Sequence, residues 1–444
     1  MRTLRTVAHS LQRLFGSELE ALGTSTKVIV RRREFDATTL LRTLVLTVLK
    51  HPQAKPADFK MTADQLGVHV SKAALLKRFS EALIVFLQVV LRRALTMALA
   101  VEPQARGLLQ GFTAVLLGDG TSLSLPDAYA QDFPGCGGTA GTGRAAMKIQ
   151  VLWDFLTGSL RQLVIEPGTS SDAVSPIAQV DGPAGSLALF DLGYFCLDRF
   201  RRLSDSGAFW ISRLQINTKV YDTEGRELDL LDELQSQLQA GQRIIDMRIL
   251  LGVTHRLPCR LIAVRIPQEE ASRRRQRANE KAAKHGRAPS AEYLQWQDWT
   301  IFVTNCDPER LTWKAIVVLY RVRWQIELMF KVWKSHNGLD KHRPGASAQE
   351  QLATIFAKLI GVVVQHWILV SSTWNRACRS LMKAAKGLRE WITNWAEALD
   401  DPEHLVRVLS RLATTLEHDC VERRGKSPSL FQLLDDPELL DWEC

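Results

Sequence analysis

Residues 319–335 read LYRVRWQIELMFKVWKS, and the way this segment winds governs how the rest of the chain is read. Its apolar residues recur at helical spacing. At about 100° per residue, with Tyr320 at zero, Arg323 falls near ~300°, Lys334 near ~320° and Glu327 near ~340°. The four share one arc of about 60°, with Lys331 just beside it. Trp324, Ile326, Leu328, Phe330 and Trp333 take up the remaining circumference, so the helix is expected to be buried nearly all round. Arg, Glu and Lys buried on such a helix need partners. An i, i+4 pair between Arg323 and Glu327 is worth only about 0.3–0.5 kcal/mol, and it leaves Tyr320 and Lys334 unexplained.

Upstream, Asp307-Pro308 is expected to open this helix, with Asp as cap and Pro in its first turn. Before it the period is that of strands. AVLLGDGTSLSLP (114–126), AAMKIQVLWD (145–154), SLRQLVIE (159–166) and SLALFDLGYF (186–195) are β-like runs between Gly and Pro turns. Phe133–Gly143 reads as loop, and Leu197–Leu203 as helix. FWISRLQ, TKVYD, QRIIDMRIL, RLIAVRI and WTIFVTN add further strands. The fold class is therefore α/β, a mixed sheet flanked by helices. The polar segment RRRQRANEKAAKHGRAPS (273–290) has no apolar stripe. It reads as an exposed loop or helix whose Arg273, Arg274, Arg275, Arg277, Lys281 and Lys284 could follow a phosphate backbone.

The first hundred residues read as helices, including Ala82–Ala100. Within MTADQLGVHVSKAALLKRFS (61–80), a break at Gly67 separates two helical runs, and Ser71 is placed to cap the second. With Lys72, Lys77 and Arg78 this is either a helix-turn-helix or a plain helical hairpin with a solvated basic face. Beyond a linker at His342–Ala348, helices extend to about Glu417. The chain of 444 residues carries a net charge of +9 with 46% hydrophobic residues, which permits a polyanionic partner and a sizeable core. Seven cysteines without a C-x-x-C pair argue against a disulfide scaffold or zinc ribbon. Charges interrupt the N-terminal MRTLRTVAHSLQRLF, and the apolar run Leu359–Val370 is short and contains Gln365 and His366. Secreted and membrane-spanning readings are therefore excluded, and a cytoplasmic protein is expected.

Two acids stand out by position. Asp119 and Asp191 each end an apolar run beside a glycine turn. Alone, each reads as a turn-former at a strand end. Together, strand-end carboxylates can converge at one edge of a sheet, where a helix bearing Glu327 could add a third. Such a set suits a hard divalent cation, and paired ions of this kind serve displacement at phosphorus.

D-G-T at 119–121, D-x-G-Y at 191–194 and Y-x2-R-x3-E-x6-K at Tyr320, Arg323, Glu327 and Lys334 resemble, in that order, the DDE transposases of bacterial insertion sequences. More narrowly, they resemble the family defined by that Y-R-E-K signature. The intervals of 72 and 136 residues between the acids suit it, as does VTN at 303–305. The resemblance implies an RNase H-like catalytic core in which Asp119, Asp191 and Glu327 hold Mg²⁺, with Mn²⁺ able to substitute. It implies that Tyr320, Arg323 and Lys334 grip phosphates, and that a tryptophan in an insertion stacks a flipped base. Trp299, 28 residues before Glu327, is the candidate, with Trp296 and Trp210 as alternatives. The implied activity is hydrolysis at the element's terminal inverted repeats, then strand transfer into target DNA, by a homodimer or larger assembly on the bacterial nucleoid. A nuclease that only cleaves and a non-catalytic DNA-binding regulator are the other readings. The organisation expected is a helical DNA-binding domain (1–108), a first core segment (109–205), a β-rich insertion with the basic segment (206–298), a second core segment (299–372) and a C-terminal helical region (373–444).

Overall fold

The computed structural model describes residues 2–31, 34–97, 105–137, 144–284, 286–374, 379–421 and 427–440. The end of the expected helix Ala82–Ala100, most of the expected loop Phe133–Gly143, and Cys378 and Cys444 lie outside them. The chain forms two units, one of residues 105–119, 171–324 and 425–444, the other of 1–104, 120–170 and 325–424.

The first unit is rich in strands. Its strands are the first half of β1 (Val115–Leu125), then β4 (Leu187–Phe190), β5 (Phe209–Arg213), β6 (Val220–Tyr221), β7 (Glu227–Leu228), β8 (Ile244–Leu251), β9 (Leu257–Arg265) and β10 (Trp299–Thr304). They lie in the order β1-β4-β5-β10-β9-β8-β6-β7. β1 with β4 and β4 with β5 are parallel, whereas β10 is antiparallel to both its neighbours. Every residue of β4 and of β10 is buried, as strands covered on both faces should be. The helix Leu197–Asp205 links β4 to β5, with Phe200 stacked on Trp210 at 4.2 Å. Asn305 closes the end of β10 against β5. Its side-chain oxygen accepts from the Trp210 amide at 2.9 Å, and its nitrogen donates to the Ala208 carbonyl at 2.8 Å.

The basic segment begins in a helix, Gln268–Ala283, and its described residues beyond Ala283 are not helical. The helix expected from Asp307 instead starts at Trp313 and runs to Val322, capped by Thr312, whose side chain accepts from the Ala315 amide at 3.2 Å. Residues 307–311 form a turn, because the Leu311 amide already bonds the Asp307 carbonyl while the Asp307 carboxylate takes Arg248. Nor is the following helix continuous: Arg323 is a turn residue, a second helix spans Trp324–Lys331, and a π-helical turn Val332–His336 follows.

The second unit is built around the helix Ala348–Thr373, 26 residues long. By length and composition it could cross a membrane, yet 94% of its most apolar window is buried in protein. The expected 12-residue apolar run is thus the middle of a core helix. Helices Arg2–Leu14, Ala37–Lys50, Glu81–Thr96 and Pro402–Asp419 pack on it. The second half of β1 and the antiparallel pair β2 (Ala145–Asp154) and β3 (Ser159–Pro167) complete this unit. His366 is wholly buried among Trp153 and Trp374, donating to the Gly158 carbonyl. Burial lowers its pKa to about 4, from 6.5. As pH falls from 6.5 towards 4 the unfolded chain takes up a proton that the folded one refuses. Stability should therefore drop by up to about 3 kcal/mol in that window, and urea titrations of His366→Gln should show a shallower acid dependence than the native chain.

Helix Pro56–Gln65 ends at Gly67, whose φ of +81° supplies the left-handed residue that stops a helix. Ser71 caps a five-residue helix, Lys72–Leu76, by accepting from the Ala74 amide. Phe59 and Phe79 meet edge to face across the pair.

Candidate active site

The parallel pairing of β1 with β4 sets Gly118 opposite Phe190. Asp119, which lies inside β1 and not at the strand end expected of it, and Asp191, just past the end of β4, are the next residues, so the two carboxylates emerge in register where the β1–β4 pairing stops. Parallel sheets place ligands at such ends. Gly118 is dictated by contact: a Cβ there would lie 1.9 Å from a carbon of the Phe190 ring. The Arg199 guanidinium packs over that ring, 3.2 Å from its centroid. Gly118→Ala should therefore force Phe190, and with it Asp191, out of place. Overpacking of this kind costs about 1–3 kcal/mol, read as a lower urea midpoint, and activity should fall by more than the stability loss explains.

Arg323 is the residue that joins the two acids. Its Nη1 lies 4.0 Å from Asp119 Oδ2 and 3.8 Å from Asp191 Oδ1, and its side chain is only 14% exposed. Tyr320, 8% exposed, donates its hydroxyl to the Phe190 carbonyl at 3.4 Å, and its ring meets Phe302 edge to face. Burial pushes this phenol up to about 12, with Asp191 adding to the shift and Arg323 opposing it. The phenol thus stays protonated and steadies the end of β4.

Glu327 lies on the helix Trp324–Lys331 and Lys334 on the π-helical turn, both in the helix-rich unit. Lys334 donates to the Ser122 carbonyl on β1 at 3.0 Å. Among the described residues no group of three or more His, Cys, Asp and Glu side chains is gathered closely enough to hold a metal. Asp119 and Asp191 nevertheless offer a purely oxygen donor set at one strand edge, the kind that Mg²⁺ and Mn²⁺ prefer.

Beside the D-x-G-Y turn a cavity of about 450 Å³ is lined by Leu192, Gly193, Arg213, Arg274, Trp296 and Trp299, among others. Of the three candidate tryptophans, Trp210 belongs to the core, its Nε1 donating to Ser204 Oγ. Trp299 opens β10 with the Arg265 guanidinium 5.3 Å from its ring. Arg273 pairs with Glu269, Arg274 with Glu270, and Arg275 with Asp298. These three arginines serve the unit's own carboxylates, and Arg274 also donates to Thr300 Oγ1 at 3.1 Å. Arg277, Lys281 and Lys284 are exposed, as are Lys72 and Lys77, while Arg78 lies 5.7 Å from the Phe35 ring.

Two residues escaped the sequence reading. Trp324, placed there on a buried circumference, is 55% exposed, because the break at Arg323 re-phases the second helix. Arg199 is 2% exposed, with Nε and Nη1 lacking hydrogen-bond partners among the described residues, and burial lowers it to about 9. Only its spacing from Asp191 could have marked it.

A family model described as "Transposase DDE domain" matches residues 110–360, more than half of the chain, and the chain belongs to that family: it is a DDE transposase. The transposase of insertion sequence element IS231F from Bacillus thuringiensis subsp. israelensis is 26% identical over 448 aligned residues, covering 94% of this chain and 92% of its own. That of IS1151 from Clostridium perfringens is 27% identical, covering 68% and 67%. That of IS421 from Escherichia coli is also 27% identical, covering 77% and 88%.

Proposed function

We propose that this transposase cleaves DNA at the terminal inverted repeats of an insertion sequence and joins the freed 3′-hydroxyl to target DNA, using Asp119, Asp191 and Glu327. The observation that carries the reading is the pair of carboxylates set in register after Gly118 and Phe190, with Arg323 beside both. The parallel order β1-β4-β5, read as part of an RNase H-like core, supports it. Bound divalent cations would activate the attacking oxygen and stabilise the leaving one. Asp119 and Asp191 would hold them by oxygen, with Glu327 as third ligand. Arg323 would offer a planar fork to a phosphate and Lys334 a point charge. Tyr320 would keep Asp191 in position through the Phe190 carbonyl. The cavity at Trp296 and Trp299 has the breadth and the arginines to receive an unstacked nucleotide, and exposed Trp324 could stack on a base. Lys72, Lys77, Arg277, Lys281 and Lys284, all exposed, would make phosphate contacts elsewhere. A cytoplasmic, DNA-bound dimer suits two transposon ends.

The test is an assay on duplexes carrying the sequence that adjoins the reading frame. Released ends and joined products, dependent on Mg²⁺ or Mn²⁺, are expected. Nicks that never become joined products would replace transposition with nuclease action, and binding without either would leave only a regulator.

A further inference from the structure

Among the described residues, a cation of the protein itself lies beside both Asp119 and Asp191. Arg323 lies within 4.0 Å of Asp119 and 3.8 Å of Asp191, with its side chain mostly withdrawn from water. Unit charges about 4 Å apart in partly buried surroundings alter affinities by tenfold or more. A divalent cation bound by these two carboxylates must therefore displace the guanidinium or bear its repulsion. Its contacts to the two carboxylates are too long for direct hydrogen bonds, so it is charge that ties the guanidinium to them. Its backbone stays anchored, since the Arg323 amide bonds the Tyr320 carbonyl at 3.2 Å; only the side chain needs to move. A phosphate offers that planar fork paired oxygens in place of the carboxylates.

We infer that Arg323 is an electrostatic place-holder that occupies the Asp119–Asp191 pair until a DNA phosphate draws it off, so that metal and DNA bind cooperatively. This rests on the metal-binding reading proposed above. It assigns Arg323 a second role besides phosphate contact: keeping the site from loading metal in the absence of DNA. Because coupling between two ligands is reciprocal, DNA raises metal affinity by the same factor as metal raises DNA affinity, and Arg323 is the residue through which both pass.

The experiment is Mn²⁺ binding by the full-length protein, followed by electron paramagnetic resonance. It is run alone and with a duplex of the sequence adjoining the reading frame, for the native chain, Arg323→Met, Arg323→Lys, Asp119→Ala and Asp191→Ala. Without DNA, Arg323→Met should bind Mn²⁺ about tenfold or more tightly than the native chain, with Arg323→Lys close to native. A gain of affinity cannot come from misfolding. With the duplex, the native affinity should rise while that of Arg323→Met changes little. If Arg323→Met binds Mn²⁺ no better than native while Asp119→Ala loses it, the place-holder is wrong and the metal site stands. Tighter Mn²⁺ binding that still responds to the duplex would overturn the coupling. Unchanged binding in both Asp119→Ala and Asp191→Ala would remove the metal site and this inference together.

Discussion

Asp119→Ala, Asp191→Ala and Glu327→Ala should each lose end cleavage and strand transfer by more than about a thousandfold if, as proposed, each supplies a charge that the transition state needs in place. Binding of the DNA ends should survive, since taking a carboxylate from beside a polyanion reduces repulsion. The substitutions should be mild for the fold, the Asp191 side chain being half exposed and the turn that follows it being held by backbone bonds. Gel assays of cleavage and joining, with end binding measured in parallel, separate the two effects. Strand transfer at native rates in any one variant would remove that residue from the active set. A residual rate that recovers in Mn²⁺ relative to Mg²⁺ would mark a weakened oxygen site and not a lost one.

Arg260→Ala should lower stability by about 1.5–3 kcal/mol, the usual worth of hydrogen bonds to a charged group. The Arg260 side chain is almost wholly buried on β9. It donates to both oxygens of Asp246, at 2.7 and 2.5 Å, and to the Leu311 carbonyl at 2.6 Å. Leu311 immediately precedes Thr312, the cap of the helix that carries Tyr320 and ends at Arg323. The loss should therefore reach the active site as well as the urea midpoint. The double variant Arg260→Met/Asp246→Leu leaves no orphaned charge and should recover much of the stability. Recovery of stability without recovery of activity would show that the Leu311 anchor positions the site. A fall below about 1 kcal/mol for Arg260→Ala would mean that water reaches the pair and screens it.

Much of this architecture is legible in the sequence, because apolar runs ended by glycine and proline are unambiguous. β1, β2, β3 and β4 lie where alternation and turn residues put them, and Ser71 and Gly67 do what their chemistry suggests. Asp191 follows the end of β4 as expected, whereas β1 runs on past Asp119 to Leu125, and the shared register of the two acids is a property of pairing, which periodicity does not contain. The helical wheel over 319–335 assumed an unbroken helix. It put Trp324 on the buried side, and the turn at Arg323 turned it outward. Asp307-Pro308 carries a strong start signal, yet Asp307 is engaged by Arg248, and Thr312 caps the helix. Arg273, Arg274 and Arg275 read as cations that could follow a phosphate backbone; the fold also pairs them with Glu269 and Glu270 one turn earlier on the same helix and with Asp298 beyond it. A charge run read alone shows its sign but not its creditors.

The core helix Ala348–Thr373 has a consequence for how the protein is made. Three of the helices that cover it, Arg2–Leu14, Ala37–Lys50 and Glu81–Thr96, are synthesised before it, but Pro402–Asp419 leaves the ribosome afterwards. Until that last helix docks, a segment apolar enough to cross a bilayer is only partly covered. Exposed surfaces of this sort invite aggregation or capture by membranes and chaperones. A frameshift or early stop between residues 374 and 401 would thus spare Asp119, Asp191 and Glu327 and still yield a chain prone to be cleared by quality control. Such a lesion would silence the gene through proteostasis, with its chemistry untouched.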